Sequence, residues 1–298
     1  MGCSNNMNKH AAKVGWLLAS PYLIYSAVFF LIPLFWALYL AFTNWNLISP
    51  EYETVGVQNF LDAFFSPSVR AAFWVTYKFM LMFVPIVIAG SLCLALILHH
   101  LPRWKGLFAV GYFLPYLASG VASSIVVKGV ISYNSPLNQF LRDALGWDID
   151  WLGSPILAPL VIALMMAWKF VGYYALLFLS GLESIPKEVY EAAEMDGAIG
   201  WKRVWHVTIP MLYPSFYTVT ILAVGLMFGI FTEPYVLTGG GPEYATHTWQ
   251  LEIYNQAFEK LNAGYGTAVA IINSIVTFAS IFVFRKVLEK WGGKHGWE

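Results

Sequence analysis

The chain has 298 residues, of which 58% are hydrophobic and 11% are charged. Because soluble domains carry about 25% charged residues, this composition excludes an ordinary water-soluble fold and indicates a lipid bilayer as the solvent. The net charge is zero, so no overall field favours binding to nucleic acid.

Six apolar stretches follow one another along the chain. In five of them the run free of Asp, Glu, Lys and Arg reaches the roughly 20 residues needed to cross about 30 Å of hydrocarbon. The fourth run is short, but it continues past Lys169 to Leu182. The first is too long for the apolar core of a signal peptide, about 7–15 residues, and is predicted to be retained. The stretches cover residues 14–42, 72–98, 106–131, 156–181, 211–234 and 267–288. This pattern predicts an all-α integral membrane protein with six transmembrane helices.

The connections between the predicted spans differ in their basic residues. Eleven Lys and Arg residues fall on the face that carries both termini, and three fall on the opposite face. Because basic residues accumulate in cytoplasmic connections, both termini are predicted to be cytoplasmic. Lys78 and Lys128 lie close to predicted outer span ends, where their long side chains can reach the interface as anchors.

The last outer connection, residues 235–266, opens with a glycine-rich turn that ends at Pro242. Apolar residues then recur at helical spacing at Trp249, Ile253, Ala257 and Leu261. This spacing predicts an amphipathic helix over 246–261 that lies at the outer surface.

The connection between the fourth and fifth spans is more charged than the segments around it. Ser184 is suited to cap a helix that has Pro186 in its first turn, and Gly197 is suited to end that helix. A second short helix is expected through Trp201–Arg203, with Pro210 ending it and beginning the next span. The pattern predicts a helix–turn–helix that projects into the cytoplasm.

The same connection contains Glu191-Ala192-Ala193-x-x-Asp196-Gly197-Ala198, followed by Ile209-Pro210. This motif resembles the EAA loop of binding-protein-dependent ABC importer permeases of type I. The chain departs from the family pattern at Val204, where the family usually has Phe. Leu237–Pro242, with the Phe-Thr-Asn-Trp element at residues 42–45, resembles the carbohydrate-uptake branch.

The resemblance implies that residues 183–210 form the coupling helix that docks on an ATPase subunit. Glu191 would make a polar contact there, Gly197 would provide the turn, and the small residues would allow close approach. Charged groups would fix the register of docking. The implied coupling residues are Glu191, Ala192, Ala193, Asp196, Gly197, Ala198 and Arg203.

The resemblance also implies partners and a location. The partners are a pair of ABC ATPase subunits, a second homologous permease chain and an extracytoplasmic solute-binding protein, and the location is the bacterial plasma membrane. ATP and Mg would be bound by the ATPase, with no cofactor in this chain. The implied domains are a tail, first span and outer loop over 1–71, a permease core over 72–288 and a cytoplasmic tail over 289–298.

Polar residues within the spans are candidates for a solute path, because a charge near mid-bilayer costs at least about 2.5–3.5 kcal/mol. Lys169 is deepest and is followed by Tyr173, and it either faces a polar path or is paired for structural reasons. Glu233, at the outer end of the fifth span, and Asn273, in the sixth, are further candidates.

We therefore predict a permease subunit for import of a carbohydrate. An ion-coupled secondary carrier is the alternative, although the spans show no inverted repeat and few acidic residues within the membrane. A membrane-embedded enzyme is the third possibility, but the sequence has no phosphate-binding loop, no metalloprotease His pair and no nucleophile elbow. The sequence thus predicts no catalytic or metal-binding residue.

Overall fold

The computed structural model describes residues 2–101 and 103–293, with side chains from residue 13 onward. Lys294 and the end of the predicted C-terminal tail lie outside the described residues.

Over the described residues the chain is helical, and its only β pairing is an isolated bridge between Thr43 and Thr54. Three π turns, at Ala27–Leu31, Val204–Thr208 and Asn255–Glu259, join or extend helices. The α-helices are α1 Gly2–Ser26, α2 Ile32–Leu40, α3 Gln58–Phe65, α4 Pro67–His100, α5 Lys105–Leu117, α6 Gly120–Ile131, α7 Pro136–Leu145, α8 Leu157–Ser184, α9 Lys187–Met195, α10 Trp201–Arg203, α11 Ile209–Met211, α12 Tyr213–Phe228, α13 Thr232–Thr238, α14 Trp249–Tyr254 and α15 Ala263–Gly293.

Four described helical segments are long and apolar enough to cross a membrane by themselves: Lys13–Leu40, α4, α8 and α15. Two further candidates are bent pairs, Lys105–Leu117 with Gly120–Leu145 at 90° and Trp201–Met211 with Tyr213–Phe228 at 68°. Counting each bent pair as one span gives six, at the positions that the apolar pattern predicts.

The third predicted span is not one helix. Residues 106–131 divide into α5, which ends at Leu117, and α6, which begins at Gly120. Between them Ala118 and Ser119 are extended, with ψ near 138° and 131°. Pro115 lies in the last turn of α5, where its missing N–H removes one helical hydrogen bond.

The fifth predicted span, 211–234, also ends early. Helix α12 stops at Phe228, and a separate helix, α13, begins at Thr232 with Glu233 and Pro234 in its first turn. Gly229 follows α12 directly and is a poor helix former, whereas proline is tolerated in a first turn. Glu233 therefore lies in α13 and not at the end of the fifth span.

Two smaller predictions on helix ends are wrong. The helix predicted over 246–261 begins at Trp249, and its π turn ends at Glu259, before Leu261, whose φ is +56°. Pro210 does not end the second short helix of the cytoplasmic connection, because the helical chain continues through it to Met211 and bends at Leu212.

The chain divides into two compact units, residues 1–63 with 254–271, and residues 64–253 with 272–298. In the first unit the Asn59 amide donates to the carbonyls of Ala41 and Thr43 at 2.9 and 2.8 Å. The first span is exposed on all sides, with only 6% of its most apolar window buried. Its apolar surface is therefore available to lipid or to another chain. The domain limits predicted from the sequence stay a prediction.

In the second unit α4 packs along α8, and Phe79, Phe83 and Phe178 are buried there. Helix α5 approaches α8 at Gly172, where a Cβ atom would lie 1.8 Å from the Tyr112 carbonyl oxygen. Only a residue without a side chain allows the two backbones to approach this closely. This contact holds the first half of the broken third span against the fourth.

Candidate functional site

A buried ion pair lies in the second unit. Lys169 Nζ is 3.0 Å from Glu233 Oε1, and the two side chains are only 8% and 7% exposed. Lys169 lies in the interior of α8, whereas Glu233 lies in the first turn of α13. Lys169 is thus paired in the structure, and its role in a solute path stays a prediction. The pair carries no net charge, which lowers the cost of burying either group.

The break in the third span lies against this ion pair. A Cβ atom on Gly120, the first residue of α6, would lie 3.2 Å from Glu233 Oε1 and 3.5 Å from Lys169 Nζ. Glycine therefore lets the start of α6 approach both charged groups. Sequence analysis did not identify Gly120, although the run from Pro115 to Gly120 contains residues typical of a helix boundary.

Two aromatic residues follow Lys169 in α8, Phe170 directly and Tyr173 one helical turn later. Tyr173 stacks on Tyr116 with ring centroids 4.6 Å apart and an interplanar angle of 13°, and Phe170 meets Tyr116 edge-on at 5.4 Å. Both tyrosines are half-buried. Tyr116 was not identified from the sequence, since nothing in its local pattern distinguishes it from other aromatic residues of the spans.

Asn273 lies apart from this group in its bonding. It is buried in α15, where Thr277 Oγ1 donates to its backbone carbonyl at 2.7 Å. Among the described residues, no hydrogen bond or ion pair given by the structure joins it to Lys169, Tyr173 or Glu233. The structure therefore joins Lys169 to Glu233, with Tyr173 one helical turn further along α8. The role of the four residues in a solute path stays a prediction.

The second candidate site is the connection around α9, which ends in a Schellman motif. Gly197 has φ of +75°, its N–H donates to the Glu194 carbonyl at 3.0 Å, and the Ala198 N–H donates to the Ala193 carbonyl at 2.8 Å. These two bonds satisfy carbonyls that the end of a helix would leave free. Gly197 ends the helix as predicted.

The start of α9 differs from the prediction. Ser184 is the last residue of α8, and its hydroxyl donates to the Gly181 carbonyl at 2.7 Å, so it does not cap α9. Pro186 is the N-cap residue and precedes the first turn, which begins at Lys187. A proline that follows the end of α8 fits there because it disfavours helical backbone at the residue before it.

The two short helices are tied together by charge. Arg203 Nη1 donates to Glu194 Oε1 at 2.6 Å, and the guanidinium lies 5.5 Å from the centre of the Tyr190 ring. Arg203 is thus engaged within the loop. Its contacts set the position of α10 against α9.

The exposed face of this loop combines acidic and apolar groups. Glu191, Ala192 and Asp196 are exposed, whereas Ala193 and Ala198 are buried against the loop itself. Met195 is 89% exposed and Trp201 74%, and Ile199 and Trp205 are also largely exposed. Sequence analysis missed these four apolar residues, because their exposure depends on how the turn at Gly197 orients the two helices.

Residues 10–291 match the family model described as binding-protein-dependent transport system inner membrane component. This chain belongs to that family. Similar proteins include the probable ABC transporter permease YurN of Bacillus subtilis, 30% identical over 92% of this chain and 94% of that protein. The multiple sugar-binding transport system permease MsmF of Streptococcus mutans is 32% identical over 88% of this chain and 90% of that protein.

A solved structure shares the fold. It is a chain of a bacterial ABC transporter involved in the import of the acidic polysaccharide alginate, with a TM-score of 0.81, 20% identity and coverage of 95% of this chain and 99% of that one. The six-span type I permease fold is therefore confirmed. The chain is a multi-pass ABC importer permease, and its relatives are transport subunits rather than enzymes. Membership of this family excludes the two alternative functions, an ion-coupled carrier and a membrane-embedded enzyme.

Proposed function

We propose that this permease and a second homologous permease chain form the path for a carbohydrate that an extracytoplasmic binding protein delivers. Two similar proteins are named for multiple sugars and for lactose. A transporter of the same fold has been solved with a periplasmic protein that holds an alginate pentasaccharide. Other relatives are named for sn-glycerol-3-phosphate, so the proposal concerns sugars and closely related solutes.

In this proposal the loop 183–210 lies in the cytoplasm and docks on one subunit of an ATPase dimer, which binds ATP and Mg. Met195, Ile199 and Trp201 supply apolar contact area, and Glu191 and Asp196 supply charges at its edge. Arg203 holds α10 in place, and Ala193 and Ala198 support the turn from inside. Closure of the ATPase dimer on ATP would move α9 and thereby rock the spans between inward- and outward-facing states.

The proposed solute path passes the Lys169–Glu233 pair. Tyr173 lies one helical turn after Lys169 in α8 and stacks on Tyr116. An aromatic ring with a hydroxyl suits a polyhydroxylated solute. Asn273 would contribute from α15 at another point of the path. Because Lys169 and Glu233 already satisfy one another, they are expected to shape the path and to keep it neutral.

The observation that carries the coupling proposal is the Schellman turn at Gly197. No atom lies within 4 Å of a Cβ built on Gly197, so a substitution there acts through backbone conformation and not through a clash. A β-branched residue in the left-handed region costs about 1–2 kcal/mol or more, whereas asparagine tolerates that region. Gly197→Val and Gly197→Asn therefore form a matched pair.

The experiment measures how much ATPase co-purifies with the tagged permease and how fast the purified complex hydrolyses ATP. We expect Gly197→Val to lower both by up to about tenfold, with membrane insertion unchanged, and Gly197→Asn to stay close to wild type. Equal co-purification and hydrolysis in both variants would contradict the coupling role of this turn. Absence of any ATP-hydrolysing partner from the wild-type preparation would overturn the proposed function as a whole.

A further inference from the structure

An apolar groove of about 570 Å³ opens beside the start of α4, within the second unit. Its lining includes Phe64 and Phe65, both largely exposed, and Ile272 and Val276 of α15. The groove is large enough for an extended hydrocarbon chain. In a bilayer any apolar groove of this kind would fill with lipid chains. Selection of one lipid over another therefore has to come from the polar residues that line the groove.

Arg70 is the cationic residue of the groove. It is exposed in the first turn of α4, and within the described residues no carboxylate lies in ion-pair distance of its guanidinium. Glu252 is held elsewhere, since it accepts a hydrogen bond from Ser68 at 2.7 Å and lies 2.6 Å from His247. The positive end of the α4 dipole adds to the charge of Arg70 instead of offsetting it. The mouth of the groove therefore favours an anion.

Trp249 is the second polar feature of the groove. It lines the wall, it is 1% exposed, and its indole nitrogen is buried with no hydrogen-bond partner within the described part of the chain. Most buried donors in proteins are paired, because leaving one unpaired costs about 1–3 kcal/mol. Because Trp249 lines the groove, a carbonyl of a bound ligand is a candidate acceptor for this nitrogen.

We propose that this groove is a binding site for an anionic glycerophospholipid. The phosphate would lie at Arg70, an ester carbonyl would accept from Trp249, and an acyl chain would lie along Phe73 and Val276. Free phosphate would use only Arg70, and a zwitterionic lipid would gain less there because its own cation competes. The three features together fit a ligand with an anionic head, an acceptor and a long apolar tail.

The first test uses the complete transporter, purified in detergent and examined by native mass spectrometry. The probes are palmitoyl-oleoyl phosphatidylglycerol and palmitoyl-oleoyl phosphatidylcholine at equal concentrations. We expect wild-type protein to retain the phosphatidylglycerol about tenfold more, the ratio that a hydrogen bond to a charged group gives. Arg70→Gln should bring the ratio close to one, and Trp249→Phe should lower the retention of both lipids.

The matched control is Arg142→Gln, which removes an arginine that lies outside the groove and is paired with Asp148 at 3.5 Å. This variant should keep the wild-type ratio. Equal retention of the two lipids by wild-type protein, or a ratio unchanged in Arg70→Gln, would overturn the proposal.

A second test asks what occupies the groove in the membrane. A photo-crosslinking residue in place of Ile272 should capture a phospholipid when cells are irradiated. A crosslink to another protein chain of the transporter would show that the groove is a subunit interface, and would also overturn the proposal. Neither test depends on which solute is transported.

Discussion

At the scale of single residues, Lys169 and Glu233 are strongly coupled. Each is more than nine-tenths buried, and their closest atoms are 3.0 Å apart. Replacing a whole buried pair by uncharged groups is often nearly neutral, whereas removing one partner strands a charge and costs about 3–5 kcal/mol. The pair should therefore respond very differently to single and double substitution.

We predict that Lys169→Met strongly lowers the thermal stability of the purified transporter, because Glu233 is left uncompensated. The double substitution Lys169→Met with Glu233→Gln should recover most of the loss. Lys128→Met serves as the control, since Lys128 is exposed and donates to the Val236 carbonyl at 3.0 Å. A double variant no more stable than Lys169→Met would show that the two charges are not coupled.

The residues of this pair could be found from the sequence, but their pairing could not. Lys169 stands out because a charged side chain within an apolar span costs free energy. Glu233 stands out because it is an acidic residue at the end of an apolar stretch. The two are 64 positions apart, and only the end of α12 at Phe228 lets Glu233 turn towards α8. Tyr116 and Gly120 carry no such compositional signal.

At the scale of helices, close packing between α5 and α8 depends on one glycine. The Tyr112 carbonyl oxygen occupies the space that a side chain on Gly172 would need. Backbone cannot move aside as a flexible side chain can, so the cost falls on the helix–helix contact. Overpacking of this kind typically costs about 1–3 kcal/mol.

We predict that Gly172→Ala separates α5 from α8 and lowers the midpoint of thermal unfolding of the purified transporter. Gly111→Ala, in α5 itself, is the matched control because no atom lies within 4 Å of a Cβ there. Alanine has a higher helix propensity than glycine, so the stability of the Gly111→Ala variant should equal or exceed that of the wild type. Equal stability of the two variants would mean that α5 is not held by this contact.

The helices show where sequence patterns suffice and where they fail. Apolar length correctly located the six candidate spans, counting each bent pair as one. The turn at Gly197 and the charged connection around it, and not apolar length, located the short helices at Lys187 and Trp201. It could not locate the breaks at Ala118 and Gly229, because these leave the hydrophobicity of the stretch unchanged. The Schellman turn was readable from Gly197, whereas the exposure of Met195 follows from the arrangement of two helices.

At the scale of the whole molecule, the distribution of basic residues predicts orientation. Eleven of them lie on the side of the termini and three on the other. The bias is large, and it predicts that the loop 183–210 and α7 lie on opposite sides of the membrane.

We predict that Gln139→Cys, in α7, reacts with a membrane-impermeant maleimide in intact cells, and that Lys202→Cys reacts only after the membrane is permeabilised. Both changes are made with Cys3 and Cys93 replaced by serine, so that the native thiols do not contribute. Both positions are exposed in the structure, so a difference in labelling reports sidedness and not burial. The opposite labelling pattern would reverse the orientation and exclude a cytoplasmic coupling loop.

The break between α5 and α6 has a consequence for the life of the protein in the cell. Leu117, Ala118 and Ser119 are exposed in the single chain, and the backbone there lacks the regular helical bonds. Such backbone does not persist against lipid tails and is stable only when covered by protein or water. We therefore expect a newly inserted chain to be incomplete until protein or water covers this break, and unassembled copies to be degraded faster than assembled ones. The amount of permease in the membrane would then follow the supply of its partners more closely than its own rate of synthesis.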